Sequence, residues 1–152
     1  MSGAKPSVVL GTIGSDAHVV GVTLLEHALK EAGFEVRNLG AQVSRERFGH
    51  AAAEHGADAV LVSSMDGHAE QNCEGLHEAL AAADVDPVTF VGGNLSVGED
   101  DLAAARERFR AMGFDAVFGP TAGFEEAVAA LRDHLGLDEH ATATEPERAR
   151  VR

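Results

Sequence analysis

Apolar positions along the chain repeat at two different periods. Short β-rich runs at Ser7–Gly14 (SVVLGTIG), Phe34–Leu39 (FEVRNL), Ala57–Ser63 (ADAVLVS), Val88–Val91 and Asp115–Phe118 predict five strands. Between them the apolar residues recur at helical spacing. His18–Ala32 predicts a helix with Leu24, Leu25, Ala28, Leu29 and Ala32 on one face and Gly33 at its C-cap. Ser44 can cap a helix reaching to about His55 and ended by Gly56. A third helix is expected over about Ala69–Ala83. A fourth covers Asp100–Met112, with Leu102, Ala105, Phe109 and Met112 inward, Glu107 and Arg110 outward, and Gly113 as its end. The last, Gly123–Leu135, carries a stripe of Phe124, Ala127, Val128, Leu131 and Leu135.

Five βα units within about 135 residues, with strand runs apolar enough to be covered on both faces, predict an α/β protein with a doubly wound parallel sheet. Five units fit the flavodoxin-like (Rossmann-like) order 2-1-3-4-5, whereas a closed barrel needs eight. After Gly136 the sequence turns polar, through Asp138-Glu139-His140 and Glu145-Pro146-Glu147-Arg148. Residues 1–137 are therefore expected to form one domain and 138–152 a disordered polar tail.

Composition changes this picture mainly by exclusion. The 152 residues hold 12 Lys+Arg against 25 Asp+Glu, a net charge of −13. That charge repels phosphate backbones and anionic lipid, so neither nucleic acid nor a membrane surface is an expected partner. Solubility is the plain reading of the acidity. The cations are ten arginines and two lysines, Lys5 and Lys30. A single cysteine, Cys73, rules out an intrachain disulfide and a cysteine-based metal site. No run approaches a membrane span, and Met1–Pro6 lacks the apolar segment of a signal peptide. A cytoplasmic location is expected.

In an open α/β sheet, ligands bind beyond the carboxyl ends of the strands at the switch point, here between the first and third strands. After strand 1 stands Gly14-Ser15-Asp16-Ala17-His18-Val19-Val20-Gly21. Asp16 and His18, two apart at a strand-to-helix turn, can pair so that the carboxylate takes one ring N–H and leaves the other nitrogen as a metal ligand or base. Asp16 can equally be a helix cap and His18 a surface residue. After strand 3 comes Ser63-Ser64-Met65-Asp66-Gly67, and after strand 4 Val91-Gly92-Gly93-Asn94-Leu95-Ser96-Val97-Gly98. Each taken alone reads as an ordinary turn or loop. Together, small residues ending neighbouring strands suggest a slot beside the sheet. A phosphate loop, a dinucleotide GxGxxG and a nucleophile elbow are absent, and strand 3 ends in serines where a response regulator needs an aspartate. Cys73 is expected only to pack, and His27, His68, His77, His134 and His140 show no partners in the sequence.

Asp16-x-His18-x-x-Gly21, Ser63-Ser64-Met65 and Gly92-Gly93-Asn94 resemble the cobalamin-binding signature DxHxxG…SxL…GG. The strings VVLGTIGSDAHVVG, ADAVLVSSMDG, FVGGNLSVG and RFRAMGFDAVFGP are similar to the small subunits of glutamate mutase (methylaspartate mutase), over about residues 7–136. The resemblance implies adenosylcobalamin bound with its dimethylbenzimidazole tail released, and His18 as the lower axial ligand of cobalt. Asp16 would hold the second ring nitrogen of His18. The tail would enter a slot lined by Ser63, Met65, Gly92 and Gly93. Ser15, Asp16, Ala17, His18 and Val19, with Gly21 giving close approach, would contact the cofactor, as would Ser63, Ser64 and Met65, and then Asn94, Leu95, Ser96, Val97 and Gly98.

The resemblance further implies an isomerase that interconverts L-glutamate and threo-3-methylaspartate by radical chemistry. The substrate site would lie in a separate large barrel subunit, in a heterotetramer of two small and two large chains, and this chain alone would be inactive. Ala17 stands where the family has cysteine and Met65 where leucine is usual. Asp66 and His68 replace an expected aromatic and glutamine, which bears on affinity and partner. Other readings are another carbon-skeleton mutase, a corrinoid carrier for methyl transfer, a cobalamin sensor, and a flavodoxin-like protein with a different ligand. The carriers and sensors usually have a helical domain ahead of the motif, whereas six residues precede strand 1 here. The face around His18 is expected to be less acidic than the helical exterior, and the loop between Gly14 and Gly21 to become ordered on binding.

Overall fold

The β-branched runs form strands and the amphipathic runs form helices, in strict alternation. The strands are β1 (Ser7–Thr12), β2 (Glu35–Asn38), β3 (Ala59–Ser64), β4 (Val88–Gly93) and β5 (Ala116–Phe118). The helices are α1 (Val20–Glu31), α2 (Arg45–His55), α3 (Leu76–Ala82), α4 (Leu102–Met112) and α5 (Phe124–His134). The computed structural model describes residues 6–13, 20–64, 71, 73–93, 102–118 and 124–136. The expected polar tail 138–152 lies outside them. All strand pairs are parallel and the order is β2-β1-β3-β4-β5, the flavodoxin-like order.

Alternate residues of each central strand go to opposite faces, and both faces are covered. One face packs Val9, Ile13, Val60, Val62, Val91 and Val117 against Phe48, Leu76, Leu80 and Phe109 from α2, α3 and α4. The other packs Val8, Leu10, Leu61, Phe90 and Ala116 against Val22, Leu29, Val128 and Leu131 from α1 and α5. Among the described residues no helix is long and apolar enough to cross a membrane.

Most element positions agree with the hydrophobic pattern, and three differences have clear causes. Leu24 is 49% exposed, not on the buried face of α1. The inward stripe is Val22, Leu25, Leu29 and Ala32, and Leu24 sits roughly 140° of helical rotation from Leu29. The single helix expected over Ala69–Ala83 is interrupted. Gln71 and Cys73 are helical, but Gly75 takes a left-handed φ of 86° and α3 starts only at Leu76. The turn aims the Glu74 carbonyl at the Arg45 guanidinium of α2, which donates to it. β3 and β4 also run further than expected, through Ser64 and through Gly93. Ser64, Gly92 and Gly93 are thus ladder residues, not loop residues, and Ser63 is a strand residue as expected. Ser44 caps α2 as expected, its hydroxyl accepting from Arg47 N at 3.0 Å, with Gly56 as C-cap.

Helices α2 and α3 meet at Gly49, where a Cβ would stand 2.8 Å from the Ala79 carbonyl oxygen. Helix propensity alone favours alanine over glycine by about 1 kcal/mol. The contact is with backbone that cannot swing away. Gly49→Ala is therefore expected to lower stability by about 1–3 kcal/mol, read as a fall in the denaturant midpoint. A raised midpoint would mean that α2 and α3 do not pack this closely.

Candidate functional site

Register places the strand ends side by side. Leu10, Leu61, Phe90 and Ala116 form one row across the sheet, on the face covered by α1 and α5. Two residues further on, Thr12, Ser63, Gly92 and Phe118 form the next row on the same face. Side chains therefore shrink from Leu-Leu-Phe to Thr-Ser-Gly just where the strands reach their carboxyl ends. Ser63 and Gly92 are half-buried, while the residues before them in β3 and β4 are buried. Phe118 bounds this hollow on the β5 side and stacks at a tilt on Phe90, with ring centroids 5.4 Å apart.

Gly92 is not required by the fold. Its φ is not left-handed, and among the described residues an added Cβ would meet only Phe118, at 3.4 Å from its Cβ. Glycine inside a strand costs about 0.5–1 kcal/mol relative to alanine. Gly11 is different: a Cβ there would press Val43 Cγ2 at 3.1 Å and the Gly40 carbonyl at 3.2 Å. Gly11 is explained by packing, and Gly92 by space held open over the sheet.

Of the residues singled out in the sequence, the structure brings together Ser63, Ser64, Gly92 and Gly93, with Ser63 opposite Gly92 and Ser64 opposite Gly93. Ser64 is fully buried on the face of α2 to α4, so only the Ser63–Gly92 pair opens toward α1 and α5. Gly21 falls in the first turn of α1, directly after the switch point. Ser15, Asp16, Ala17, His18, Val19, Met65, Asn94, Leu95, Ser96, Val97 and Gly98 lie outside the described residues. Sequence reading missed Thr12, which is fully buried and accepts from Gln42 N at 3.0 Å. The polar Asn38-Leu39-Gly40 turn after β2 was the available signal.

The B12 binding domain family model matches residues 6–131. A glutamate mutase sigma subunit of Halobacterium salinarum is 59% identical over 144 residues, covering 95% of this chain and 97% of that one. The glutamate mutase sigma subunit of Carboxydothermus hydrogenoformans is 52% identical over 132 residues, covering 86% and 96%. Among solved structures, a cobalamin-binding protein from Desulfitobacterium hafniense is similar at TM-score 0.69 and 21% identity, over 85% of this chain and 58% of that chain. The signal receiver domain of NarL from Mycobacterium tuberculosis is similar at TM-score 0.60 and 19% identity, over 87% and 97%. At these identities the structural likeness speaks for the fold alone.

Two other reactive side chains belong to the core. Cys73 is fully buried, and burial pushes its thiol up to about 12, so it is an inert packing group. His77 has a partner that the sequence did not reveal. Its Nε2 lies 3.0 Å from Thr89 Oγ1, which donates to the Gly113 carbonyl at 3.3 Å and so accepts from the ring. The ring also meets Phe114 edge-on at 4.7 Å. This cluster closes the amino end of the sheet, away from the hollow. Burial lowers the His77 pKa below the ordinary histidine value, while Asp115, Glu78 and Asp86 pull it partly back. The folded chain thus resists protonation that the unfolded chain accepts, and stability falls as pH drops below about 6.5 toward the folded value. His77→Gln is expected to flatten the decline in melting temperature between about pH 7.5 and about pH 5.5. An equal decline in both proteins would remove His77 as its source.

Proposed function

The chain belongs to the glutamate mutase sigma subunit family and carries its B12 binding domain, and on that premise we propose that it is the adenosylcobalamin-binding small subunit of a glutamate mutase. The single observation that carries this reading is Gly92, a strand glycine that neither its backbone conformation nor, among the described residues, crowding demands, opposite the half-buried Ser63. Ser63 and Gly92 form the floor on which the released dimethylbenzimidazole tail lies, with Met65 and Gly93 beside it. His18 would hold cobalt through a ring nitrogen, and Asp16 would take its second ring nitrogen, fixing tautomer and basicity. Ser15, Ala17, Val19 and Gly21, Ser64, and the stretch Asn94, Leu95, Ser96, Val97 and Gly98 would contact the cofactor. When bound, the cofactor supplies a cobalt–carbon bond whose homolysis starts the radical interconversion of L-glutamate and threo-3-methylaspartate.

The substrate site belongs to a separate large barrel subunit, in an assembly of two small and two large chains. The arginines support this division. A dicarboxylate calls for inward guanidinium forks. Here Arg45 donates to the Glu74 carbonyl, Arg106 to the Val117 carbonyl at 3.4 Å, Arg132 to the Ala32 carbonyl at 3.1 Å and Arg37 to His55 Nε2 at 3.1 Å. These side chains brace their own fold.

The purified chain is expected to bind adenosylcobalamin with a histidine nitrogen below the cobalt. Nitrogen-isotope labelling of histidine would change the hyperfine pattern of the reduced, cobalt(II) form. His18→Gly should lose that ligation, and retention of it would remove His18 from the role. Turnover of glutamate should need the large subunit, so activity of this chain alone would contradict the assignment. Gly92→Ala separates stability from binding: folding should be unchanged or improved, while cofactor affinity falls about tenfold or more, the usual cost of one methyl in a filled slot. Unchanged affinity would take the tail away from this face.

A further inference from the structure

The segment between Ile13 and Val20, which carries Asp16 and His18, departs from the end of β1 and rejoins the described fold as α1. Both of its flanks are tied to one neighbour, the connection from β2 to α2. On the β1 side, Thr12 is engaged through all three of its polar groups. Its N–H donates to the Gly40 carbonyl at 2.9 Å, its carbonyl accepts from Val43 N at 2.8 Å, and its hydroxyl accepts from Gln42 N at 3.0 Å. Ile13 continues the pairing, bridged to Val43 and donating to the Ser63 carbonyl at 3.2 Å. On the α1 side, Asn38 Nδ2 donates to Glu26 Oε1 at 3.0 Å, and Asn38 Oδ1 accepts from Gly40 N at 2.8 Å. Lys30 holds the other oxygen of Glu26 at 2.8 Å. Gly40 therefore links β1 to α1, and the frame runs Thr12–Gly40–Asn38–Glu26.

The ordinary ladder does not require this frame. The β1–β2 pairing ends at Leu10 opposite Asn38, and the contacts of Gly40, Gln42 and Val43 lie beyond it. One of them is also made in unfavourable backbone. Gly40 has φ 88°, which glycine adopts freely, but Gln42 has φ 57°, a left-handed conformation uncommon for a residue with a side chain. Strain held at the carboxyl edge, next to the switch point, is where a function is expected. We propose that Thr12, Gly40 and Asn38 are positioning residues that set the two ends of the axial-ligand segment, so that His18 meets cobalt in one geometry. This rests on the reading of His18 as the cobalt ligand.

Thr12→Val keeps the shape and removes the hydroxyl, Thr12→Ser keeps the hydroxyl, and Asn38→Ala cuts the link to α1 from a half-buried position. Each full-length variant is titrated with adenosylcobalamin, and its absorption is read at saturation. Thr12→Val and Asn38→Ala should each weaken binding on the order of tenfold, as loss of an outer partner of a metal ligand does. Part of the bound cofactor should then show the spectrum that lacks a lower nitrogen ligand, while Thr12→Ser restores both properties. Lost stability alone would leave the saturated spectrum unchanged. Full nitrogen ligation at saturation in both variants, whatever the affinity, overturns the proposal. If Thr12→Val does not fold, Asn38→Ala decides alone. Wild-type chain that binds no adenosylcobalamin, or His18→Gly that keeps its nitrogen ligand, would instead sink the cofactor reading on which the frame depends.

Discussion

A parallel sheet with helices on both faces leaves a ligand only its carboxyl edge. That constraint organises this molecule. Over most of their length the central strands are filled from both sides, by Val9, Val60 and Val91 on one face and Leu10, Leu61 and Phe90 on the other. The filling stops at the row Thr12–Ser63–Gly92. The helices α1 and α5 continue to cover that face lower down, through Leu29 and Leu131. Among the described residues, the side chains on this face thus shorten while the strand ladder continues. A floor of this kind is rigid, because every strand in it is hydrogen-bonded to a neighbour, and rigid floors place ligands more accurately than loops do.

The opposite end of the sheet is treated differently. There His77, Thr89 and Phe114 fill the space, and Thr89 N also takes the Asp115 carboxylate at 2.9 Å. The two ends separate the roles that a histidine can play. A half-buried ring with a hydroxyl partner and an aromatic neighbour resists protonation and serves packing. The proposed cobalt ligand, His18, belongs by sequence to the connection that follows β1 at the opposite, carboxyl edge. With eight histidines in the chain, residue type alone decides nothing, and position in the fold decides much.

Much of the architecture was legible because both periods are strong. Ser44 and Gly56 bound α2 as their types dictate, and the strand order followed from counting βα units. What was not legible depended on contacts between distant residues. Gly75 ends a helical run through its left-handed backbone, and the Glu74 carbonyl there accepts from Arg45, about thirty positions earlier. Leu24 looked inward on a helical count that was out of phase by part of a turn. The Ser and Gly pairs were read as following their strands, since small residues usually signal turns. Pairing across the sheet keeps them in strand, which makes them more useful as a floor. Thr12 carried no motif of its own, and its importance comes from three hydrogen bonds to a segment about thirty residues away.

The carboxyl edge therefore mixes positions where stability and function oppose each other with positions where they agree. At Gly92 a larger side chain would suit the strand and, among the described residues, meet only Phe118, so stability gives the glycine no support there. At Thr12 the hydrogen bonds satisfy buried polar groups, and under the proposed positioning role fold and function would ask for the same residue. Gln42 lies between these cases. Its left-handed backbone is unfavourable locally, yet that conformation delivers its N–H to Thr12. A site assembled this way concentrates its costs in a few backbone positions on the rigid rim. The helical exterior is then left free to carry exposed acidic residues such as Glu31, Glu46, Glu54, Glu107 and Glu125.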